Sequence, residues 1–311
     1  MKESKTNIIS ELDKKSVVTI GMFDGVHIGH QHILHLLKSI ADREHMTPVV
    51  VTFDSHPRIV LGKTDAQFRL LTTLQERESI LRRHGIEHVD WVHFTPHEAQ
   101  LSACEFVSKH LLQHLHMGAL VLGYDNQFGN KNHNDFHLLP QLAAREGFAI
   151  YHDTPVLYGT VEVSSTEIRR ALQAGNIDLA NQMLGTPYSI TGQVVTGRQI
   201  GRSLGFPTAN IALNDAHKAL PAHGVYAAWA LMPDGSRRKA MVNIGTQPTF
   251  HHDTPTIEAH ILDLDADIYH QSVTLSFTHR LRATITFDTP DQLVQQLQLD
   301  KEQVRKILEE C

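Results

Sequence analysis

The stretch Val17-Val18-Thr19-Ile20-Gly21-Met22-Phe23-Asp24-Gly25-Val26-His27-Ile28-Gly29-His30 decides the fold class of this chain. A short apolar run, Val17–Ile20, stops at a glycine, and a helical pattern begins near Gly29 and His30. In open α/β sheets the turn at a strand's carboxyl end is where ligands bind. Gly21, Gly25 and Gly29 allow a tight turn and close approach of the backbone to a phosphate, while the helix start supplies N–H donors without intrahelical partners. His27 and His30, three residues apart, can face a bound anion and donate hydrogen bonds as charge develops on a phosphoryl group. They can equally serve as plain helix caps.

Outward from this turn, apolar runs alternate with helical patterns. After a helix from about His30 to Glu44 come Val49–Phe53, a helix near Thr73–His84, Val89–Phe94, a helix near Ala103–Leu115, Ala119–Leu122 and a helix near His137–Glu146. The alternation predicts an α/β fold with a doubly wound parallel sheet. Near Leu184-Gly185-Thr186-Pro187 the pattern changes, which sets predicted domains of 1–184 and 185–311. Val194–Val195, Val225–Leu231, Lys239–Ile244, Thr256–Leu262 and Ser272–Phe277, separated by turn residues, predict an antiparallel β-barrel, with Pro233-Asp234-Gly235-Ser236 as a hairpin turn. A final amphipathic segment from Pro290 to Glu310 predicts a C-terminal helix that caps the barrel.

Composition narrows the function classes. A chain of 311 residues with 41% hydrophobic and 20% charged content suits about two globular domains. There is no long apolar run and the N-terminus is polar, so a cytoplasmic protein with no membrane partner is expected. A formal charge of −6 argues against a nucleic-acid partner. Cys104 and Cys311 have neither disulfide-framework nor zinc spacing. Among the 23 histidines, His110 and His114 stand at i, i+4, but the glutamate of an HExxH zinc motif is missing.

Three further stretches carry chemistry. Ser164-Ser165-Thr166-Glu167-Ile168-Arg169 places hydroxyls at a helix start with Arg169 one turn inside, either a phosphate-binding element or a capping box of Ser164 and Glu167. Gly197, Gly201 and Gly205 recur every four residues without the G-K-[ST] of a Walker A loop. They precede Pro207-Thr208-Ala209-Asn210, whose hydroxyl and amide oxygens, two apart on an extended strand, share a side and suit Mg²⁺ as hard ligands. Glu258 alternates with apolar Ile257, Ala259 and Ile261, so it points away from them, where an acid can accept an alcohol's proton or merely sit exposed.

The motif Gly21 to His30, of the form GxFDGxHxGH, resembles the FMN adenylyltransferase branch of the nucleotidyltransferase superfamily, and Ser164–Arg169 resembles the second ATP-phosphate motif of that superfamily. Thr52-Phe53-Asp54-Ser55-His56-Pro57 is similar to a TFDPHP segment with Ser55 in place of proline. Leu122-Gly123-Tyr124-Asp125-Asn126-Gln127-Phe128-Gly129 is similar to a flavin-side LGxDFxFG loop, with Asn126 where an aromatic is usual. The string from Gly197 to Asn210, followed by Gly224-Val225-Tyr226 and Asn243–Phe250, resembles riboflavin kinases; His270 replaces a usual glycine, and Thr284 stands two after Arg282 where an R-x-E flavin contact carries glutamate.

The resemblance, over about residues 17 to 300, implies a bifunctional enzyme that turns riboflavin and ATP into FMN and ADP, then FMN and ATP into FAD and pyrophosphate, with Mg²⁺. It implies His27 and His30 as catalytic in the first module, with Gly21, Phe23, Asp24, Gly25, Gly29, Ser164, Ser165, Thr166 and Arg169 binding ATP there. In the second it implies Glu258 as general base, Thr208 and Asn210 at the metal, and Gly197, Gly201 and Gly205 over the nucleotide. Asp54, Asp125, Phe128 and Arg282 are implied at flavin. The runners-up are an active kinase beside a weak or inactive adenylyltransferase, adenylylation of another phosphate-bearing acceptor, and a flavin-binding regulatory protein without catalysis. The oligomeric state is not set by the sequence.

Overall fold

A computed structural model describes residues 14–62, 68–124, 128–130, 132–133, 135–197, 201, 204–248 and 253–309, with only the backbone at 247–248 and 253–254. Packing divides the chain into two compact units, one ending at Val163 and one beginning at Ser164, except that Arg69–Leu71 belongs with the second.

The first unit is built on five parallel strands: β1 (Ser16–Ile20), β2 (Thr47–Phe53), β3 (His88–Val92), β4 (Met117–Leu122) and β5 (Ala149–His152). Their order is β3-β2-β1-β4-β5, so β1 pairs with both β2 and β4. Helices cover both faces, and the strands sort their side chains accordingly. Val17, Val50 and Val121 pack with Leu34 and Leu37 of the helix Ile28–Glu44, while Val18, Val51 and Leu120 pack with Phe106 and Leu111 on the other side. These strand residues are essentially fully buried, and each contributes about 1.5–3 kcal/mol of transfer free energy. The chain leaves β1 toward β2 but returns to its other side as β4. That reversal opens a crevice outside the carboxyl ends of β1 and β4.

The predicted helix near Ala103–Leu115 is continuous but uneven, with a π-helical turn at Val107–Leu112. It begins at Ser102, whose capping box with Glu105 is complete. The edge strand β5 has no sequence counterpart in the prediction, because its four residues show no alternation of burial. A two-stranded ribbon, β6 (Leu157–Tyr158) with β7 (Val161–Glu162), follows it.

In the second unit β8 (Ser189–Val195), β9 (Ala209–Leu213), β10 (Gly224–Leu231), β11 (Arg237–Pro248), β12 (Asp253–Ile261) and β13 (Ser272–Arg282) close into a barrel of order β10-β11-β12-β9-β8-β13. Tyr226, Ala228, Val242, Ile257, Ala259 and Phe277 fill its interior, with the Tyr226 and Phe277 rings edge-on at 5.5 Å. The hairpin turn lies where predicted: Gly235 has φ 82°, and Met232 N–H donates to the Ser236 carbonyl at 2.9 Å.

The C-terminal helix, Pro290–Ile307, packs through Val304, Leu297 and Val294 against Val225, Ala227 and Met241, residues on the outward faces of β10 and β11. It therefore lines the barrel's side. Helices Ser165–Gln173 and Ile177–Leu184 also pack with this unit, and Asn181 Nδ2 donates to the Phe277 carbonyl at 2.9 Å. His270 has φ 65°, in the left-handed region that glycine enters freely.

Candidate active sites

The turn after β1 is held in a backbone conformation that few residues choose. Phe23 has φ 49° and Val26 φ 42°, and a β-branched residue at positive φ is a true outlier that surrounding structure must enforce. The enforcing contacts are visible. The Asp24 carboxylate accepts from Thr72 N–H at 2.9 Å and from its hydroxyl at 3.1 Å, while Gly25 N–H donates to that hydroxyl at 3.0 Å. Arg77 reaches the carbonyls of Met22 at 2.6 Å and Phe53 at 2.8 Å, with its guanidinium 5.0 Å from the Trp91 ring centre. Asp24 and the fully buried Phe23 side chain thus shape the turn.

His27 is the helix N-cap: its Nδ1 accepts from His30 N–H at 3.3 Å, which puts the imidazole proton on Nε2. The two imidazoles stack at 3.7 Å between ring centres. Gly29 makes this possible, since a Cβ there would stand 3.1 Å from His27 Nδ1 and 3.7 Å from the Val163 carbonyl. Burial pushes the His30 imidazole well below its ordinary pKa, and the neighbouring His27 and the Arg77 cation push the same way. Among the described residues His30 Nδ1 is buried with no hydrogen-bond partner. A neutral His30 imidazole stacked on His27, beside strained backbone and a helix start, is well suited to receive a polyanion.

Asp54, just past β2, accepts from His93 Nδ1 at 2.6 Å and from Phe94 N–H at 3.3 Å. Phe128 packs edge-on with Phe136 at 5.5 Å and lies against Phe106. Asp125 and Asn126 lie outside the described residues. Ser164 caps the next helix by accepting from Glu167 N–H at 3.3 Å, but the Glu167 carboxylate pairs with Arg170, so only half of the capping box forms. Ser165 and Thr166 occupy the first turn, and Arg169 Nε donates to the Arg69 carbonyl at 2.6 Å. By packing, these residues belong to the second unit.

In the barrel, cross-strand register places Asn210, Glu258 and Asn243 side by side on β9, β12 and β11. Directly opposed residues share a face, so all three point away from the barrel interior. Thr208 precedes Asn210 by two. A cavity of about 320 Å³ lies over this face, walled by Glu258, Thr208, Asn243 and Arg282 on one side and by Leu293 and Leu297 of the C-terminal helix on the other. A second cavity of about 490 Å³ is lined by Val194, Ala209, Asp265, Asp267 and Tyr269, and Thr208 belongs to its wall as well. Both volumes suit small molecules.

Glycines keep room beside Thr208 and Asn210. A Cβ on Gly197 would lie 2.0 Å from Asn210 Nδ2, and one on Gly201 would lie 2.3 Å from the Phe206 carbonyl and 3.4 Å from Thr208 Oγ1. Gly205 needs its glycine for φ 82° instead. Among the described residues no cluster of three or more His, Cys, Asp or Glu can hold a metal ion. Two neutral oxygens fit Mg²⁺, which keeps waters and phosphate oxygens for its remaining positions.

Three anchors escaped the sequence reading: Thr72, Arg77 and Asp300. Asp300, 1% exposed, binds Arg282 at the cavity wall. Both Arg77 and Asp300 occupy apolar-face positions of their helices, Arg77 between Leu74 and Leu81, and Asp300 between Leu297 and Val304. That placement was the available signal.

Comparison with known proteins agrees across both units. Residues 9–167 match the family model of FAD synthetase and residues 184–308 that of riboflavin kinase. The bifunctional riboflavin kinase/FMN adenylyltransferase of Haemophilus influenzae is 35% identical over 92% of this chain and 92% of its own. That of Bacillus subtilis is 33% identical over 96% and 94%. A solved Streptococcus pneumoniae structure, described as a macrolide-efflux protein, superposes with a TM-score of 0.84 at 32% identity, covering 95% of this chain and 96% of that one. In the present chain no helix among the described residues is long and apolar enough to cross a membrane.

Proposed function

Because the chain belongs to the bifunctional riboflavin kinase/FMN adenylyltransferase family, we propose how its residues divide the two reactions of that family, riboflavin to FMN and FMN to FAD. The observation that carries the kinase reading is Thr208, shared by the walls of two adjoining cavities, with Glu258 in the first. Riboflavin occupies the cavity under the C-terminal helix and the nucleotide occupies the other, so that the γ-phosphoryl group meets the ribityl 5′-hydroxyl beside Thr208. Glu258 takes the hydroxyl proton as the oxygen attacks phosphorus and the bond to the β-phosphate oxygen breaks. Thr208 and Asn210 hold Mg²⁺, which neutralises phosphate charge when bound. Gly197, Gly201 and Gly205 let the loop lie close over the ADP portion.

In the first module, the FMN phosphate attacks the α-phosphorus of ATP and pyrophosphate leaves. His27 and His30, at the helix start, stabilise the developing charge, and the turn Gly21–Gly29 cradles the phosphates. Ser164, Ser165, Thr166 and Arg169 also bind ATP, as the resemblance of their motif implies. Asp54, Asp125 and Phe128 serve the acceptor flavin. The catalytic modules are 1–184 and 185–311, a boundary supported by the riboflavin kinase match beginning at 184. A cytoplasmic location fits two ATP-consuming steps.

The test is a time course of products from riboflavin, ATP and Mg²⁺. FMN appears first and FAD follows at its expense; FMN accumulating without FAD, even when FMN is the substrate supplied, would overturn the adenylyltransferase assignment.

A further inference from the structure

His260 stands two residues beyond Glu258 on β12, so strand alternation puts both on the cavity face. Its side chain lines the riboflavin cavity, yet the residue is only 5% exposed. Nδ1 lies 2.8 Å from the Pro207 carbonyl, which can only accept, so Nδ1 carries the proton. Burial lowers the pKa of this imidazole and outweighs the opposing Pro207 hydrogen bond, while Lys301 lowers it and Asp263 raises it; the net shift favours the neutral ring. Nε2 is then a pure acceptor. Among the described residues it is buried without a hydrogen-bond partner.

A buried acceptor left unpaired is costly, and such groups are ordinarily satisfied. Here the missing donor is a group that arrives with the substrate. We propose that His260 is a specificity-determining residue of the kinase site, accepting through Nε2 a hydrogen bond from a secondary hydroxyl of the ribityl chain. The assignment rests on Glu258 receiving the 5′-hydroxyl. Two residues of strand separate the Glu258 and His260 positions by about 7 Å, a span that the polyol chain covers and that the ring N3–H, at the far end of the flavin, exceeds. The loss of that hydroxyl would strand the acceptor again, so the site discriminates against flavins with a shortened or deoxygenated side chain.

The experiment is a cycle of enzyme and substrate changes. Wild type, H260L and H260Q are assayed for kcat/KM with riboflavin, with its 2′-, 3′- and 4′-deoxy analogues and with N3-methylriboflavin. Wild type is to lose 10-fold or more on one deoxy analogue. H260L is to lose a similar factor on riboflavin and nothing further on that same analogue, with KM for ATP unchanged. H260Q, which keeps an acceptor near the Nε2 position, is to recover most of the loss and serves as the test if H260L fails to fold. Equal losses by H260L on every flavin, no loss at all, or coupling to N3-methylriboflavin instead would overturn the proposal. Undiminished phosphorylation by E258Q would instead remove the reading beneath it, a separate and distinguishable failure.

Discussion

Arg282 is clasped by Asp300: its Nε donates to both carboxylate oxygens at 3.0 and 3.1 Å, and Nη2 donates to Oδ2 at 2.7 Å. The acid comes from the C-terminal helix and the base from the end of β13, so the pair fixes one wall of the cavity under that helix to the other. Gln296 adds a bond from Nε2 to Oδ1 of Asp300 at 2.9 Å. The Asp300 side chain is 2% exposed and that of Arg282 is 19% exposed, and breaking such a pair from one side leaves a poorly solvated charge. D300A is therefore expected to destabilise the protein by about 3 kcal/mol. It should also raise KM for riboflavin roughly 10-fold, since about 1.4 kcal/mol of lost positioning is a factor of ten. Denaturant melts and steady-state kinetics check both.

Glu258 sits between Asn210 and Asn243, in register with each, and faces the cavity. Given its proposed role as general base for the 5′-hydroxyl, E258Q should lower kinase kcat by about 10²–10⁴. Adenylylation of added FMN should proceed at the wild-type rate. Retained kinase turnover would show that the proton goes elsewhere.

The order of β1, the glycine turn and the helix was legible because each is written locally: an apolar run, glycines at 21, 25 and 29, and a helical period after them. Barrel strands were legible too, although β9 was read only at its start, as the extended Thr208-Ala209-Asn210 stretch and not as an apolar run. What stayed hidden depends on distant partners. Asp24 reads in sequence as a ligand residue, and its contact with Thr72, 48 positions away, is not written there. Arg77 and Asp300 read as solvent-facing charges unless their apolar-stripe positions are noticed, because helical periodicity carries no information about a buried counter-group on another element. His260 looked like one more histidine among 23; only the Pro207 carbonyl fixes its tautomer and exposes its unmet nitrogen.

Gly197 has space for nothing larger, given that a Cβ would stand 2.0 Å from Asn210 Nδ2. The obstacle is the end of a side chain, so G197A can be absorbed by rotating Asn210 away, with little cost to the barrel. The cost falls on function: a ligand oxygen displaced by about 1 Å typically lowers turnover by about 10². We expect G197A to keep the wild-type melting midpoint while kinase kcat drops and more Mg²⁺ is needed for half-maximal rate. A fall in stability with unchanged Mg²⁺ dependence would count against Asn210 as a ligand.

Thr72 donates to and accepts from the turn at once, through Asp24 and the Gly25 N–H. T72V keeps the shape and removes the hydroxyl, leaving that N–H unpaired; the expected penalty is about 1–3 kcal/mol. Because Phe23 and Val26 are held at positive φ by this network, the turn should relax toward ordinary backbone geometry. FAD formation should then fall while riboflavin phosphorylation does not, as measured on the same preparation with FMN and with riboflavin in turn.

His30 gives the molecule a pH dependence of definite sign. Burial first, then His27 and Arg77, hold its folded-state pKa well below the ordinary 6.5. Between those two values the unfolded chain binds a proton that the folded chain refuses, so stability rises with pH there. The contribution is fully present above about 6.5 and is lost as pH falls toward the folded pKa, with a limiting slope of about 1.4 kcal/mol per pH unit. H30N, which cannot titrate, should therefore lose less stability than wild type between pH 7 and pH 5.5 in parallel melts. Bound ATP adds negative charge beside the imidazole and raises its pKa, so binding near pH 6 should take up protons. Calorimetry in two buffers of different ionisation enthalpy measures that uptake, and H30N should abolish it; identical heats for wild type in both buffers would mean that the His30 ring does not meet the phosphates.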